Sequence, residues 1–591
     1  MSTTRVIWKW LVPVAAPILF LAALEGALRI AGSGHDASFF LPHPAHTASV
    51  TTNPRYGERF FPRRIARTPV PAVFSRSKPP GTVRVFVLGE SAAMGFPDPA
   101  WGLPAQLEAV LRTTHSRAEV INAAMTAIDS RVVREIAEEC VRYQPDWLVV
   151  YTGNNEFIGP FSGTAQPLAA ARLLLTRTRL GQFLTSPMHP PLHEWKGLEM
   201  FEKKRIAPGD PRIQRVHRSF RDNLSAIAHA GKAVGAKVIF STVAVNLRDC
   251  PPFAGDAANE AYARGDFAAA RDLDELKIRA TSTMNRIIAE VAKEQGAVLV
   301  DAATAIPPDA RHFFEHVHLT PAGNRALAAL IARSPQSTLE ESAWDRARMS
   351  ATIAALTARP PFSLQQGHTQ RQRLLEEQTA KLRAAVDFPS AIKRYAEQLH
   401  SAPHGLILRE RYAELLHESG DPAAAADEWR ELIRRLPLVK SWHTGLAESL
   451  LSAGKPAEAR DAALRALALD PGFIAAQLQI GLSYAQQGDL PRAILEFERA
   501  AQQDPGSADA HNNLGVALSS LGKRTEALAA YRRAIAARPD FARAHDNLAR
   551  LLASTGQTNE AIAEYRLAIR HDPTLVSAQY DLGVLLARSG Q

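Results

Sequence analysis

Val83-Arg84-Val85-Phe86-Val87-Leu88-Gly89-Glu90-Ser91 is the stretch on which the reading of this chain turns. Val85 to Leu88 is apolar at every position rather than at alternate ones, the pattern of a strand buried on both faces. Gly89, Glu90 and Ser91 then bring a glycine, an acid and a hydroxyl to its carboxyl end. Further apolar runs occur at Glu119 to Asn122, Asp146 to Thr152, Lys237 to Val245 and Ala297 to Asp301, separated by amphipathic helical stretches. Strands alternating with helices predict a parallel sheet covered on both sides, over residues 81–335. In such a sheet ligands bind beyond the carboxyl ends of the strands. The polar clusters expected there are Gly89-Glu90-Ser91, Asn122, Gly153-Asn154-Asn155-Glu156 and Asn246-Leu247-Arg248-Asp249.

The last piece of this segment is Phe314-Glu315-His316-Val317-His318, followed by Thr320 and Pro321. Thr320 is a good N-cap and Pro321 a good first helical residue, so His318 is held just before a helix start. A carboxylate three residues earlier can reach the imidazole Nδ1, and only His318 has one, in Glu315; position 313 is Phe. His316 and His318 with Glu315 also read as a metal pair, but no third ligand cluster accompanies them, and no metal or other cofactor is expected. Ala93 rules out a Gly-x-Ser-x-Gly nucleophile elbow around Ser91.

Gly89-Glu90-Ser91, Gly153-Asn154-Asn155 and Glu315-x-x-His318, in this order, resemble the motifs of the SGNH (GDSL-like) hydrolases. The resemblance covers roughly residues 80 to 335 and implies a three-layer, flavodoxin-like α/β fold. It implies Ser91 as nucleophile, His318 as general base and Glu315 as orienting acid. It also implies an oxyanion hole from the Asn155 side chain and the backbone N–H groups of Ser91 and Ala124. Asn154, Glu156, Asn246 and Arg248 are the candidate substrate contacts, although Arg248 and Asp249 read more readily as a solvated loop pair. The strings Gly-Glu-Ser-Ala-Ala, Met-Thr-Ala-Ile-Asp-Ser, Gly-Asn-Asn-Glu-Phe and Val-Asn-Leu-Arg-Asp resemble a membrane-anchored bacterial subgroup fused to tetratricopeptide repeats. Glu90 and Glu315 stand where the family pattern has Asp, and Ala124 where many members have Gly. Glu315 adds one methylene, about 1.5 Å of reach, which its loop has to absorb. Ala124 is tolerable where φ is negative, because its backbone N–H is the donor.

The segment is flanked by two different kinds of sequence. Arg5 and Lys9 precede an uncharged apolar run from Leu11 to Leu24, with Trp8 and Trp10 as interfacial aromatics. Extended to Val6 and to Ala31, the run approaches the roughly 20 residues a bilayer needs. The expectation is a signal anchor over 1–33, single-pass in the cytoplasmic membrane, with the remaining chain in the periplasm. The rival is a cleaved signal peptide and a secreted protein. Residues 1 to 80 hold ten basic residues against Glu25, Asp36 and Glu58, so most of the net charge of +9 belongs to a basic juxtamembrane linker at 34–80. No nucleic-acid motif accompanies it, and no nucleic acid is expected as a partner. Cys140 and Cys250 are the only cysteines, too few for a disulfide framework, though one bridge between them is open.

On the other side, Pro403, Pro437, Pro471, Pro505, Pro539 and Pro573 are evenly spaced at the 34-residue tetratricopeptide period, and so are Gly420, Gly454, Gly488, Gly522, Gly556 and Gly590. Gly481 and Gly515 in first helices, Ala459, Ala493, Ala527 and Ala561 in second helices, and then Phe497, Tyr531 and Tyr565 occupy repeat positions. The array covers 401–591 after a helical connector at 336–400, and predicts an all-α solenoid whose groove takes a protein or peptide partner. Gln591 falls at a turn between helices, where a polar capping helix is expected.

The 591 residues thus read as a multidomain chain. Two functions follow. One is an anchored esterase or acyltransferase acting on an ester-bearing small molecule or polysaccharide, with repeats that recruit partners. The other is a repeat scaffold for envelope or polysaccharide assembly that carries a weakened hydrolase domain.

Overall fold

The computed structural model describes residues 3–63, 65–162, 164, 166–185, 204–333, 339–357, 379, 381–401 and 405–589. Pro403, Gly590, Gln591 and much of the expected connector lie outside these residues. The chain folds into two compact units, Met1–Glu397 and Gln398–Gln591.

The first unit opens with helix α1 (Thr3–Ile30). Among the described residues no helix is long and apolar enough to cross a membrane. Its last turns are tied to the domain. The Glu25 carboxylate accepts from the N–H groups of Arg179 (3.1 Å) and Leu180 (2.9 Å), at the start of helix Arg179–Thr185. A carboxylate there satisfies orphan N–H groups and favours the helix dipole.

Residues 34–80 are folded rather than a linker. Strands β1 (Phe40–Pro42), β2 (Ser49–Thr52) and β3 (Val73–Ser75) form an antiparallel sheet in the order β1-β2-β3. Phe39, Phe40, Tyr56 and Phe74 are buried beneath it and meet edge to face, with centroids 4.9 to 5.1 Å apart. The basic residues that suggested a solvated segment are partly internal. Arg59 is buried, donates to Ala37 O and pairs with Glu135 at 2.9 Å. Charge counted along the sequence does not distinguish a solvated arginine from one with a distant carboxylate.

The main sheet contains β4 (Val83–Gly89), β5 (Ala118–Asn122), β6 (Trp147–Tyr151), β7 (Lys237–Ser241) and β8 (Val298–Val300). All neighbours are parallel and the order is β5-β4-β6-β7-β8. Val85 to Leu88 are completely buried, which requires a helical layer on each face. Helices α2 (Ser91–Met94), α3 (Leu103–Arg112), α4 (Ser130–Cys140), α5 (Gln166–Leu175) and α6 (Arg179–Thr185) follow successive strands. α3 packs with helix Pro321–Ala332, and α4 with Pro211–Ala233, which in turn packs with Ser282–Glu294. The expected strand Lys237 to Val245 ends early, at Ser241. Side chains replace the ladder there: Val243 N–H donates to Asn285 Oδ1 at 2.7 Å, and Thr242 Oγ1 to Asp301 at 2.8 Å. Cys140 and Cys250 are both buried and free.

The switch in strand order falls at β4, whose carboxyl end sits between those of β5 and β6. Register pairs Val87 with Asn122 and Gly89 with Tyr151. Three of the polar clusters are thereby brought to one end of the sheet. Part of the connector also belongs to this unit: Tyr395 packs edge to face on Trp101 and Trp344, and its hydroxyl donates to Asp345.

The second unit is a run of helix pairs. Leu406–Glu418 with Pro422–Arg435 is the first, and Ala542–Ser554 with Thr558–His571 the fifth, before a final helix Val576–Ser589. Gly420, Gly454, Gly488, Gly522 and Gly556 make the turn inside each pair with φ between +71° and +92°, which an L side chain rarely adopts. Close packing explains the small residues: a Cβ on Gly481 would lie 2.4 Å from the Phe497 ring. A polar staple also recurs. His443, His511 and His545 place Nε2 2.9 to 3.1 Å from the carbonyls of Pro437, Pro505 and Pro539.

Candidate active site

The site is assembled at the end of β4. Gly89 has φ of +151°, and a Cβ there would lie 2.0 Å from Tyr151 O, so β4 and β6 approach as closely as their backbones allow. Glu90 is extended and Ser91 begins α2, which closes at Gly95 in a left-handed conformation. This turn presents Ser91 Oγ at the sheet end. As the first residue of a helix, Ser91 has no intrahelical acceptor for its N–H.

Glu90 is almost fully buried beneath the neighbouring loop. Its carboxylate accepts from Thr152 Oγ1 (2.9 Å) and from the N–H groups of Gly153 (3.1 Å), Asn154 (2.9 Å) and Asn155 (3.2 Å). Burial pushes its pKa up to about 7, against the pull of these four donors. Glu90 therefore shapes the loop that carries Asn155. The motif alone gave no sign of this, since the partners lie more than sixty positions away.

The histidine strand arrives from the far end of the domain. Phe314 N–H donates to His318 O at 2.9 Å, Phe313 bridges to Leu319, and Thr320 caps the following helix through Gly323 N–H. His318 Nε2 lies 2.8 Å from Ser91 Oγ, and Glu315 bonds Nδ1 of the same ring. Glu315 absorbs its extra methylene by folding back over its own turn. Its oxygens accept from the N–H groups of Val317 (3.3 Å) and His318 (3.1 Å), and the carboxylate also lies against His316. With Glu315 on Nδ1, the proton resides there and Nε2 is left as acceptor. Burial lowers the His318 pKa to about 3, while the adjacent carboxylate acts in the opposite direction. The ring of Phe96 covers the imidazole at 4.6 Å between centroids.

The remaining expected residues divide. Among the described residues the Asn155 side chain has no hydrogen-bond partner, and its backbone is pinned by Glu90. Ala124 does not have positive φ, so alanine is unstrained, but its N–H donates to Asn122 Oδ1 at 3.2 Å and is not free for an oxyanion. Asn154 and Glu156 point into the protein, which corrects their reading as substrate contacts. Asn154 Oδ1 accepts from Ala280 N–H at 3.0 Å. Glu156 accepts from Ser130 N–H (2.7 Å) and Oγ (2.8 Å), and burial, with Asp129 and Glu90 nearby, raises its pKa well above the usual range. Asn246 is also a brace: its N–H donates to His316 O at 2.9 Å and its Oδ1 accepts from Asp249 N–H. Arg279, missed in the sequence, holds the same loop through Asn246 O and Cys250 O and pairs with buried Asp274 at 3.1 Å. Of the four candidate contacts only Arg248 is exposed.

Comparison with known families matches residues 87–326 to the GDSL-like Lipase/Acylhydrolase family. Residues 413–472 and 478–540 match a tetratricopeptide repeat family, and 549–590 a second TPR repeat family. No curated protein matches the chain. Solved structures similar to it include a thermophilic TPR protein, TTC0263, of Thermus thermophilus, at 22% identity, covering 30% of this chain and 96% of that one, with a TM-score of 0.28. PilW, a type IV pilus biogenesis factor, is similar at 18% identity over 31% of this chain and 86% of its own, with a TM-score of 0.28. MamA from Desulfovibrio magneticus RS-1 is similar at 16% identity over 29% and 96%, with a TM-score of 0.25. The chain carries a GDSL-like lipase/acylhydrolase domain followed by tetratricopeptide repeats.

Proposed function

We propose that this protein is a serine-dependent ester hydrolase or acyltransferase of the SGNH type, with Ser91 as nucleophile, His318 as general base and Glu315 as the acid that orients it. The observation that carries the reading is the 2.8 Å separation of His318 Nε2 from Ser91 Oγ, with Glu315 on the opposite ring nitrogen. Those are the geometric requirements of an activated hydroxyl. His318 Nε2 takes the Ser91 proton as Oγ bonds to the ester carbonyl carbon. The carbonyl oxygen becomes an oxyanion, stabilised by the Asn155 side-chain amide and the Ser91 N–H. The C–O bond to the alcohol then breaks, and His318 returns the proton to the leaving oxygen. Water, or a second alcohol, gives its proton to His318 and attacks the acyl carbon; the bond from that carbon to Ser91 Oγ then breaks, and His318 returns the proton to Oγ. Hydrolysis and transfer differ only in this acceptor.

The substrate class in this proposal is an acylated carbohydrate or another envelope ester, and the repeats bind a protein or peptide partner. The basic and then apolar start of the chain supports a location outside the cytoplasm, which a C-terminal alkaline phosphatase fusion tests. The full chain is expected to hydrolyse p-nitrophenyl acetate and Ser91→Ala to lose that activity. Equal rates for the two proteins would instead support the scaffold reading.

A further inference from the structure

The exposed apolar side chains of the first unit are not scattered. Leu19 and Phe20 on α1 are each 68% exposed, Leu174 on α5 66% and Phe183 on α6 62%. Leu168 and Leu184 on the same helices are also more than half exposed. Elsewhere among the described residues of this unit, only Val234 and Leu299 are large, apolar and exposed.

The helices that carry them form one anchored layer. Glu25 of α1 caps α6 through Arg179 and Leu180. Gln182 of α6 exchanges hydrogen bonds with His35 N–H (2.9 Å) and His35 O (3.0 Å), and Arg177, in the turn between α5 and α6, pairs with Glu135 of α4 at 2.8 Å. A fixed apolar patch of this kind marks an interaction site. Its charge is one-sided. Over the C-terminal part of α1, α5, α6 and the α5–α6 turn stand Arg29, Arg172, Arg177 and Arg179 against Glu25, with Glu135 of α4 paired to Arg177. Two copies meeting through this face would bring like charges together, whereas an anionic leaflet complements both the apolar centre and the basic flanks.

We infer that α1, α5 and α6 together form a docking surface for an anionic lipid leaflet, with the apolar side chains entering the interface and the arginines facing headgroups. The inference is independent of the proposed ester chemistry.

Flotation of the full chain with vesicles of phosphatidylcholine, with or without phosphatidylglycerol, tests it. Wild type is expected to float with the anionic vesicles, and raising the salt to about 1 M is expected to weaken binding. Leu174→Glu/Phe183→Glu and Leu19→Glu/Phe20→Glu are each expected to lower bound protein at least about tenfold, since each removes two apolar anchors and adds two repelled charges. These side chains are exposed, so thermal unfolding should stay at the wild-type midpoint, and Ser91→Ala should float like wild type. Equal binding to neutral vesicles overturns the proposal. So does a loss confined to the α1 pair, which would make α1 alone the contact. Conversion of a dimer to a monomer by Leu174→Glu/Phe183→Glu, with vesicle binding unchanged, overturns it in favour of a second copy.

Discussion

In the repeat array, side chains that touch are close in sequence: Asn547 bonds Asn512, 35 positions away, in the neighbouring repeat. In the α/β domain the decisive contact, Ser91 with His318, spans 227 positions. The array is stabilised repeat by repeat, as a sum of local pairs and nearest-neighbour interfaces. The site depends on the whole sheet, because the Ser91 hydroxyl, the loop carrying Asn155 and the His318 imidazole arrive on elements that meet only after folding. Substitutions should therefore have local, modest effects in the array and global or all-or-none effects around the site.

The largest expected effect tests that dependence directly. Ser91→Ala and His318→Ala should each reduce kcat for p-nitrophenyl acetate by about 10³-fold or more, and the double variant by little further, because the residues act as one unit. Additive losses would break the picture of a coupled site. Next comes the backbone beneath it. Gly89→Ala forces a Cβ to within 2.0 Å of Tyr151 O, while a Cβ on Gly522 of the array meets nothing within 4 Å. Gly522→Ala should cost about 1 kcal/mol from its left-handed φ, and Gly89→Ala more than about 3 kcal/mol, read as unfolding midpoints in denaturant. Similar costs at the two glycines would remove the contrast.

Glu90→Gln is a finer probe. An amide cannot accept on both arms from the Thr152, Gly153, Asn154 and Asn155 donors, so the loop carrying Asn155 loosens. The expected result is about a 10- to 100-fold fall in kcat with little change in KM, in steady-state assays of a folded protein. A change in KM alone would instead place the effect of Glu90 on substrate binding. A smaller effect is electrostatic. His318 is held at about 3 in the native protein against an ordinary 6.5, so the unfolded chain binds more protons between those values. The stability His318 contributes is complete above about pH 6.5 and is lost as pH falls towards 3. His318→Gln should flatten that part of the pH–stability curve, measured by urea denaturation. The smallest expected effect lies in the array, where His511→Ala removes one bond to Pro505 O and should cost about 1 kcal/mol without altering ester hydrolysis.

These contrasts also explain what was legible before the fold was known. The repeat helices follow from a 34-residue period, because each small residue, turn glycine and proline has its reason within one repeat or the next. The strand Val83 to Gly89 was legible because Val85 to Leu88, buried on both faces, leave no polar alternate position. Residues 34–80 misled, since Arg59 counts as charge in a sequence although its partner Glu135 is 76 positions away. Asn154 and Glu156 misled likewise: beside Asn155 in sequence, they face Ala280 and Ser130.

The sequence by itself determined the alternation of strands and helices, the order of the three motifs, the cap that holds His318 before its helix, and the repeat period, all of which rest on short-range pattern and local backbone chemistry. Only the tertiary structure decided that Glu315 reaches His318 despite its extra methylene, that Glu90 organises the Asn155 loop, and that Ala124 N–H is engaged by Asn122. Each of those depends on the direction of a side chain. That direction is set by the packing of elements distant in the chain, for which a one-dimensional pattern carries no signal.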